Sequence, residues 1–256
     1  MIRQKDAVVK YVENKMKQNA LDFTAVDNLE LKFKGELKKT FQTNYERSFK
    51  SGSKSANADL PKKFIKAEVG IGLKTQELQR YLQSKARFDV QEITQRLGAS
   101  LTTVLMDAIR SGKSTSEIMI EIEKTFDPYT ATGSGISATT GNVIESYTLR
   151  TITRTATLGS YNFGRRSRYE DADLKDFVLG YKLSPVLDER TTEICQLIAR
   201  ENIQIRIEDQ ENIARLTPPL HYNCRTIIVA ITTLDEPIAF TDPSVLGQIK
   251  GLTKVV

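Results

Sequence analysis

The sequence predicts an α+β fold that is mainly α: a helical N-terminal region with long helices, followed by a small C-terminal α+β domain around a Cys/His motif. Three observations carry this expectation. Apolar residues recur at helical spacing through the first half of the chain. Beyond Asp173 the period changes and short β-branched runs begin. The one histidine and both cysteines of the 256 residues lie together between Asp188 and Arg225. The expected organisation is a helical region over 1–127, a flexible linker over 128–142, an α+β domain over 143–236 and an extended tail over 237–256.

The first element is a helix over Lys5–Asn19, with Val8, Val9, Val12 and Met16 on one side. Leu29, Phe33, Leu37, Phe41, Tyr45 and Phe49 then recur every four residues, an apolar stripe on a second helix. Asp27 and Glu30 have the spacing of a helix cap and its reciprocal partner, and Ser51-Gly52-Ser53 is expected to stop the helix. Pro61 opens another helix. From Thr75 to Arg110 the pattern stays helical, with Ile93, Leu97, Leu101, Leu105 and Ile109 on one face. Ser111-Gly112-Lys113-Ser114 breaks it. These letters match the end of a phosphate-binding loop, but that motif needs a glycine where Asp107 stands, and no buried strand precedes it. The better reading is a corner between helices. Ser114 and Glu117 form a capping box for a helix carrying Ile118, Ile122 and Phe126.

Residues 128–142 are small, turn-prone and glycine-containing, which makes ordering them costly and marks the linker. A long helix follows over Val143–Tyr169. Phe177–Leu183 reads as a strand, Thr191–Arg200 as a helix, Asn202–Ile207 as a short strand and Thr226–Thr232 as a buried strand.

Composition narrows the function classes. The net charge is +5, and residues 1–70 hold 15 Lys/Arg against 9 Asp/Glu. That balance is mild and does not by itself demand nucleic acid. Arg165, Arg166 and Arg168 form a second basic cluster, read either as a solvated helix face or as a contact to DNA or an acidic partner. The N-terminal residues lack the apolar core of a secretory signal, and the run Ile227–Ile231 is far too short to span a bilayer, so no membrane role is expected. Two cysteines without an export signal point to a reducing compartment and against a disulfide.

The chemistry concentrates between Asp188 and Arg225. His221 and Cys224 place two metal ligands on one tight turn, Cys195 comes from the preceding helix, and Asp188 is the best oxygen candidate for a fourth. Zn2+ is the cofactor such a set would take. The competing reading makes the cysteines small buried apolar groups and His221 a hydrogen-bonded structural residue beside the Pro218-Pro219 turn. A Cys/His nucleophile would also need an oxyanion site and an orienting group, and neither is visible. Asp188, with Arg190 and Thr191, has a structural use as a helix-start acceptor. Arg154 or Arg225 could pair with it and lock the small domain.

The order Asp188-x-Arg190-Thr191, Cys195, then Pro218-Pro219-x-His221-x-Asn223-Cys224-Arg225 resembles the phage Mu F-like head morphogenesis family, the minor capsid proteins of tailed phages. Arg154-Thr155 and Tyr161-Asn162-x-Gly164-Arg165 resemble that family's lead-in helix, and Ala108-Ile109-x-x-Gly112-x-Ser114 its helix turn. The resemblance implies a structural protein of the virion, not an enzyme, made in the host cytoplasm and seated in the head interior or at the portal vertex. Its implied partner is the portal protein, with scaffolding or major capsid protein and non-specific DNA contact as further candidates. Its implied roles are head assembly, DNA packaging or ejection. The family's metal set falls on Cys195, His221 and Cys224, but the family's usual Cys-Arg-Cys is here Cys224-Arg225-Thr226, one ligand short. The alternative from another class is a small zinc-dependent or nucleic-acid-processing enzyme using Asp188, Cys195, His221 and Cys224.

Overall fold

The computed structural model describes residues 2–18, 21, 34–65, 75–130, 149–235 and 238–252. Among them are eight α-helices and one three-stranded sheet. The predicted class, mainly helical with a small α+β region around the Cys/His group, is the one observed. The chain divides into two compact units. The first comprises Met1–Gln42 with Gln83–Ile152, the second Thr43–Leu82 with Thr153–Val256.

The first unit is built on helical periodicity. Helix α1 (Ile2–Lys17) buries Val8 and Val12, and Lys5 pairs with Glu123. Helix α2 (Lys34–Ala56) contributes its first residues to this unit and its later turns to the second. Helix α3 (Thr75–Arg110) places Leu97, Leu101, Leu105 and Ala108 in the same cluster as α1, and helix α4 (Thr115–Thr130) adds Ile118, Ile122 and Phe126. Each large aliphatic side chain removed from water here contributes roughly 1.5–3 kcal/mol. The corner between α3 and α4 is closed locally. Gly112 sits at φ +62°, and Lys113 N donates to Ala108 O at 3.1 Å. The capping box forms as expected: Ser114 N donates to Glu117 Oε2 at 2.8 Å, and Glu117 N to Ser114 Oγ at 3.4 Å. Hydrogen bonds from Ser114 hold the Glu117 carboxyl below its ordinary range.

The second unit holds the later turns of α2, the first turns of α3, helix α5 (Leu149–Tyr169) from Thr153 onward and the sheet. Strand β1 (Val178–Ser184) is central, flanked antiparallel by β2 (Gln204–Arg206) and β3 (Ile227–Thr232). Helices α6 (Glu193–Arg200) and α7 (Gln210–Leu216) fill the connections, and α8 (Pro243–Leu252) follows. Tyr181, Leu183, Ile198, Ile203, Ile205, Leu216 and Ile228 form one core with Cys195 and Cys224.

Four expectations need correction. The helix does not stop at Ser51-Gly52-Ser53; α2 runs on to Ala56. Gly52 faces the Tyr161 carbonyl and Gly164 faces the Phe49 carbonyl, each too close to admit a Cβ. Ser53 Oγ donates to Gly164 O at 2.8 Å and Ser48 Oγ to Thr157 O at 2.7 Å. The small residues that look like a breaker are the contact surface that lets α2 and α5 touch backbone to backbone. Pro61 opens only a 3-10 turn, Lys62–Phe64. The expected extended tail instead carries α8. Asp242 accepts from Ser244 N at 2.8 Å, Pro243 takes the first helical position where no N–H is needed, and Leu246 and Ile249 are buried. Between β3 and α8, Thr241 N donates to Gln204 O at 2.9 Å, and Arg206 lies over the Phe240 ring. Pro128, expected in the linker, lies in α4, while residues 131–142 of that linker are outside the described residues. Leu29, Phe33, the Asp27–Glu30 cap and residues 143–148 are also outside them.

Candidate metal centre

The site is assembled from three segments of the second unit. The turn before α6 supplies Asp188 and Thr192, α6 supplies Cys195, and the loop ahead of β3 supplies His221, Cys224 and Arg225.

The first turn is organised by Asp188. Its Oδ1 accepts from Arg190 N at 2.9 Å, Asp188 N donates to Thr191 Oγ1 at 2.7 Å, and Thr191 N donates to Asp188 O at 3.0 Å. This is an Asx turn, in which Arg190 enters through its backbone; its exposed guanidinium also lies 3.5 Å from Asp188 Oδ2. Arg225 then meets Asp188 edge to edge, Nη1 on Oδ2 and Nη2 on Oδ1. The Arg225 bonds, then the Arg190 amide, hold the Asp188 carboxyl well below the usual carboxylate range. Arg154, the other candidate partner, is exposed on α5. Asp188 is therefore a clasp residue. It is not one of the residues whose donor atoms converge with the thiols and imidazole.

The loop with the other ligands is held from beneath by α5. Asn162 Nδ2 donates to Thr226 O at 3.1 Å, and its Oδ1 accepts from Ile228 N at 2.9 Å, so one amide side chain reads the start of β3 as another strand would. Asn223 N donates to Thr155 Oγ1 at 2.9 Å. Asn223 itself sits at φ +58°, a left-handed conformation that asparagine tolerates better than most residues. The Pro218–Pro219 peptide is cis, and Pro219 rests against Gly159, where a Cβ would stand 3.1 Å from Pro219 Cδ. These contacts explain the residue types at 155, 159, 162, 218, 219 and 223.

Cys195 Sγ, His221 Nε2 and Cys224 Sγ fall within 4.8 Å of one another. Cys195 Sγ lies 3.1 Å from His221 Nε2, and both cysteines are buried and free of disulfide. His221 Nδ1 donates to the Tyr222 carbonyl at 2.8 Å, which turns Nε2 toward the thiols. The hydrogen bond from Cys195, and then the one from His221, hold the Cys224 thiol well below its ordinary range. The bond to Cys224, together with burial, pushes Cys195 up, and the bond to Cys224 also raises His221. The centre thus brings three soft donors together. Around tetrahedral zinc, ligand atoms stand roughly 3.3–3.8 Å apart, so the 3.1 Å Cys195–His221 pair would open slightly and the widest separation, within 4.8 Å, would close by up to about 1 Å. The donor types, the spacing and the oriented imidazole fit zinc.

Two hydroxyls complete the surround. Thr192, the residue before α6, does not cap the helix; its Oγ1 lies 2.9 Å from His221 Nε2. Thr226 Oγ1 lies 3.2 Å from Cys195 Sγ. Neither contact is legible in the sequence, although Thr226 stands where the family resemblance expects a cysteine.

The basic cluster has another role. Arg165 and Arg168 are 2% and 1% exposed. Arg165 donates to Ile228 O and to Ser55, Asp59 and Tyr169; Arg168 donates to Asn57, Phe64 O, Asp171 and Asp173. They are interior struts, inaccessible to a DNA backbone. Arg166 is partly exposed and pairs with Glu170.

A mainly helical chain, carrying a small sheet clasped by Asp188–Arg225 around a Cys/His triad, defines a structural unit whose motif residues serve packing and turn geometry. The model of the family described as Phage Mu protein F like protein matches residues 99–229, just over half of the chain, and covers every residue of the triad and clasp. The chain belongs to this family of phage head-related proteins. Comparison with curated proteins and with solved structures gives no match. Among the described residues, no helix is long and apolar enough to cross a membrane.

Proposed function

We propose that this protein is a structural minor component of a tailed-phage head, bound to the portal, that assists head assembly, DNA packaging or ejection. The family match over 99–229 carries this reading. It is made in the host cytoplasm and retained in the head interior or at the portal vertex. Scaffolding or major capsid protein is a secondary partner, and DNA contact is non-specific, through the basic N-terminal residues. Zinc, held by Cys195, His221 and Cys224, closes the clasp and stiffens the small unit; when bound it supplies cross-linking of α6 to the loop before β3. The enzyme alternative is disfavoured by Asp188, whose carboxylate is committed to Arg225 and the Arg190 amide.

Mass spectrometry of purified particles from the genome encoding this chain tests the reading. The protein is expected at low copy number in mature heads or in portal-containing assembly intermediates. Absence from both overturns the proposal.

A further inference from the structure

Among the described residues, the three donors of the triad are not joined by a fourth of comparable strength. Asp188 is tied up by Arg225. Beside the donors stand the neutral hydroxyls of Thr192, 2.9 Å from His221 Nε2, and Thr226, 3.2 Å from Cys195 Sγ. Zinc takes thiolate, imidazole and carboxylate ligands, and a zinc with three such protein ligands keeps its fourth position for a small exchangeable molecule. Hydroxyls beside that position are suited to hydrogen-bonding a bound water or hydroxide. The two hydroxyls stand at different depths. Thr226 is fully buried, while Thr192 is exposed and His221 half-buried. The triad is therefore floored by Thr226 and reached from solvent past Thr192.

We infer that Cys195, His221 and Cys224 form a three-ligand zinc centre whose fourth position is open to one exogenous monodentate nitrogen or sulfur donor, entering past Thr192. In the isolated protein that position would hold water. The inference rests on the proposed zinc closure of the clasp and goes beyond it, because a closed structural site would accept nothing further.

Cobalt is the probe, since its visible bands report both coordination number and ligand exchange. Full-length protein is titrated with Co2+ and then with imidazole, and the same is done for Thr226→Cys, which adds a fourth thiol from the buried side. The expected results are one tetrahedral cobalt per chain and a saturable shift of its bands with imidazole. In T226C the shift is lost, and zinc affinity rises by about tenfold or more, the scale on which a single contact at a metal site acts. Cobalt bands in the parent protein that ignore imidazole overturn the open position while leaving the metal site standing. Failure of both Co2+ and Zn2+ to bind overturns the metal site itself. Should T226C not fold, the imidazole response of the parent protein decides.

Discussion

Arg225 meets Asp188 with two parallel hydrogen bonds of 2.5 Å, and so ties the turn ahead of α6 to the loop bearing His221 and Cys224. The two residues are 37 positions apart, so the pair closes the small unit across its metal centre. Replacing Asp188 by Asn keeps the turn acceptor for the Arg190 amide but removes the charge. The variant is expected to melt below the parent at neutral pH. The folded-state carboxyl lies below its usual range, so its contribution is present above an unfolded pKa of about 3.9 and is lost as pH falls below it. The gap between the two melting temperatures should therefore close between about pH 4 and lower values. Thermal melts across pH check this; a constant gap would contradict it.

The α2–α5 contact predicts an asymmetric response to alanine. Gly52→Ala and Gly164→Ala each drive a Cβ into a facing carbonyl and should cost at least about 1–3 kcal/mol in urea unfolding. Gly35, with open space around it near the start of α2, should accept alanine with no loss and a gain of up to about 1 kcal/mol. Equal effects at all three positions would refute the close approach.

Arg165→Ala should act on folding. It strips Asp59, Tyr169, Ser55 and the Ile228 carbonyl of a shared donor, and breaking such a buried pair costs about 3–5 kcal/mol. Lysine should rescue only part, since one ammonium cannot reproduce the fork of the guanidinium. Chemical denaturation checks both. A variant that keeps parental stability while losing salt-sensitive DNA retention would restore the surface reading.

These outcomes mark what could be read from residues alone. Helices α1, α3 and α4 were legible because their signals are local: the Leu97–Leu101–Leu105 face, the Gly112 turn and the Ser114–Glu117 box each lie within a few turns of chain. The gathering of Cys195, His221 and Cys224 was legible because the residue types are scarce and close in sequence. What was not legible depended on distant partners. Gly52 resembles a helix stop until Tyr161 is placed beside it, and Arg165 resembles a surface cation until Asp59 and Ile228 surround it. A proline near the start of the 237–256 tail resembles extended chain, yet at the first helical position Pro243 starts a helix, and Leu246 and Ile249 supply the buried face. Asp188 offered two uses, ligand or clasp, and only the position of Arg225 separates them.

Metal should be linked to stability. Zinc at a hundredfold excess over its Kd should stabilise the fold by about 2.7 kcal/mol, and a chelator should reverse the gain. Cys195→Ser, His221→Ala and Cys224→Ser should each abolish the zinc-dependent part. A zinc-independent melting temperature in the parent protein would contradict the metal closure.

Co-expression of the tagged portal protein from the same genome with this chain tests the central claim most directly. After affinity purification and size-exclusion chromatography in moderate salt, the chain is predicted to co-elute with the portal assembly at a fixed ratio. Elution of the two as separate species, with intact folding of each, would contradict the account.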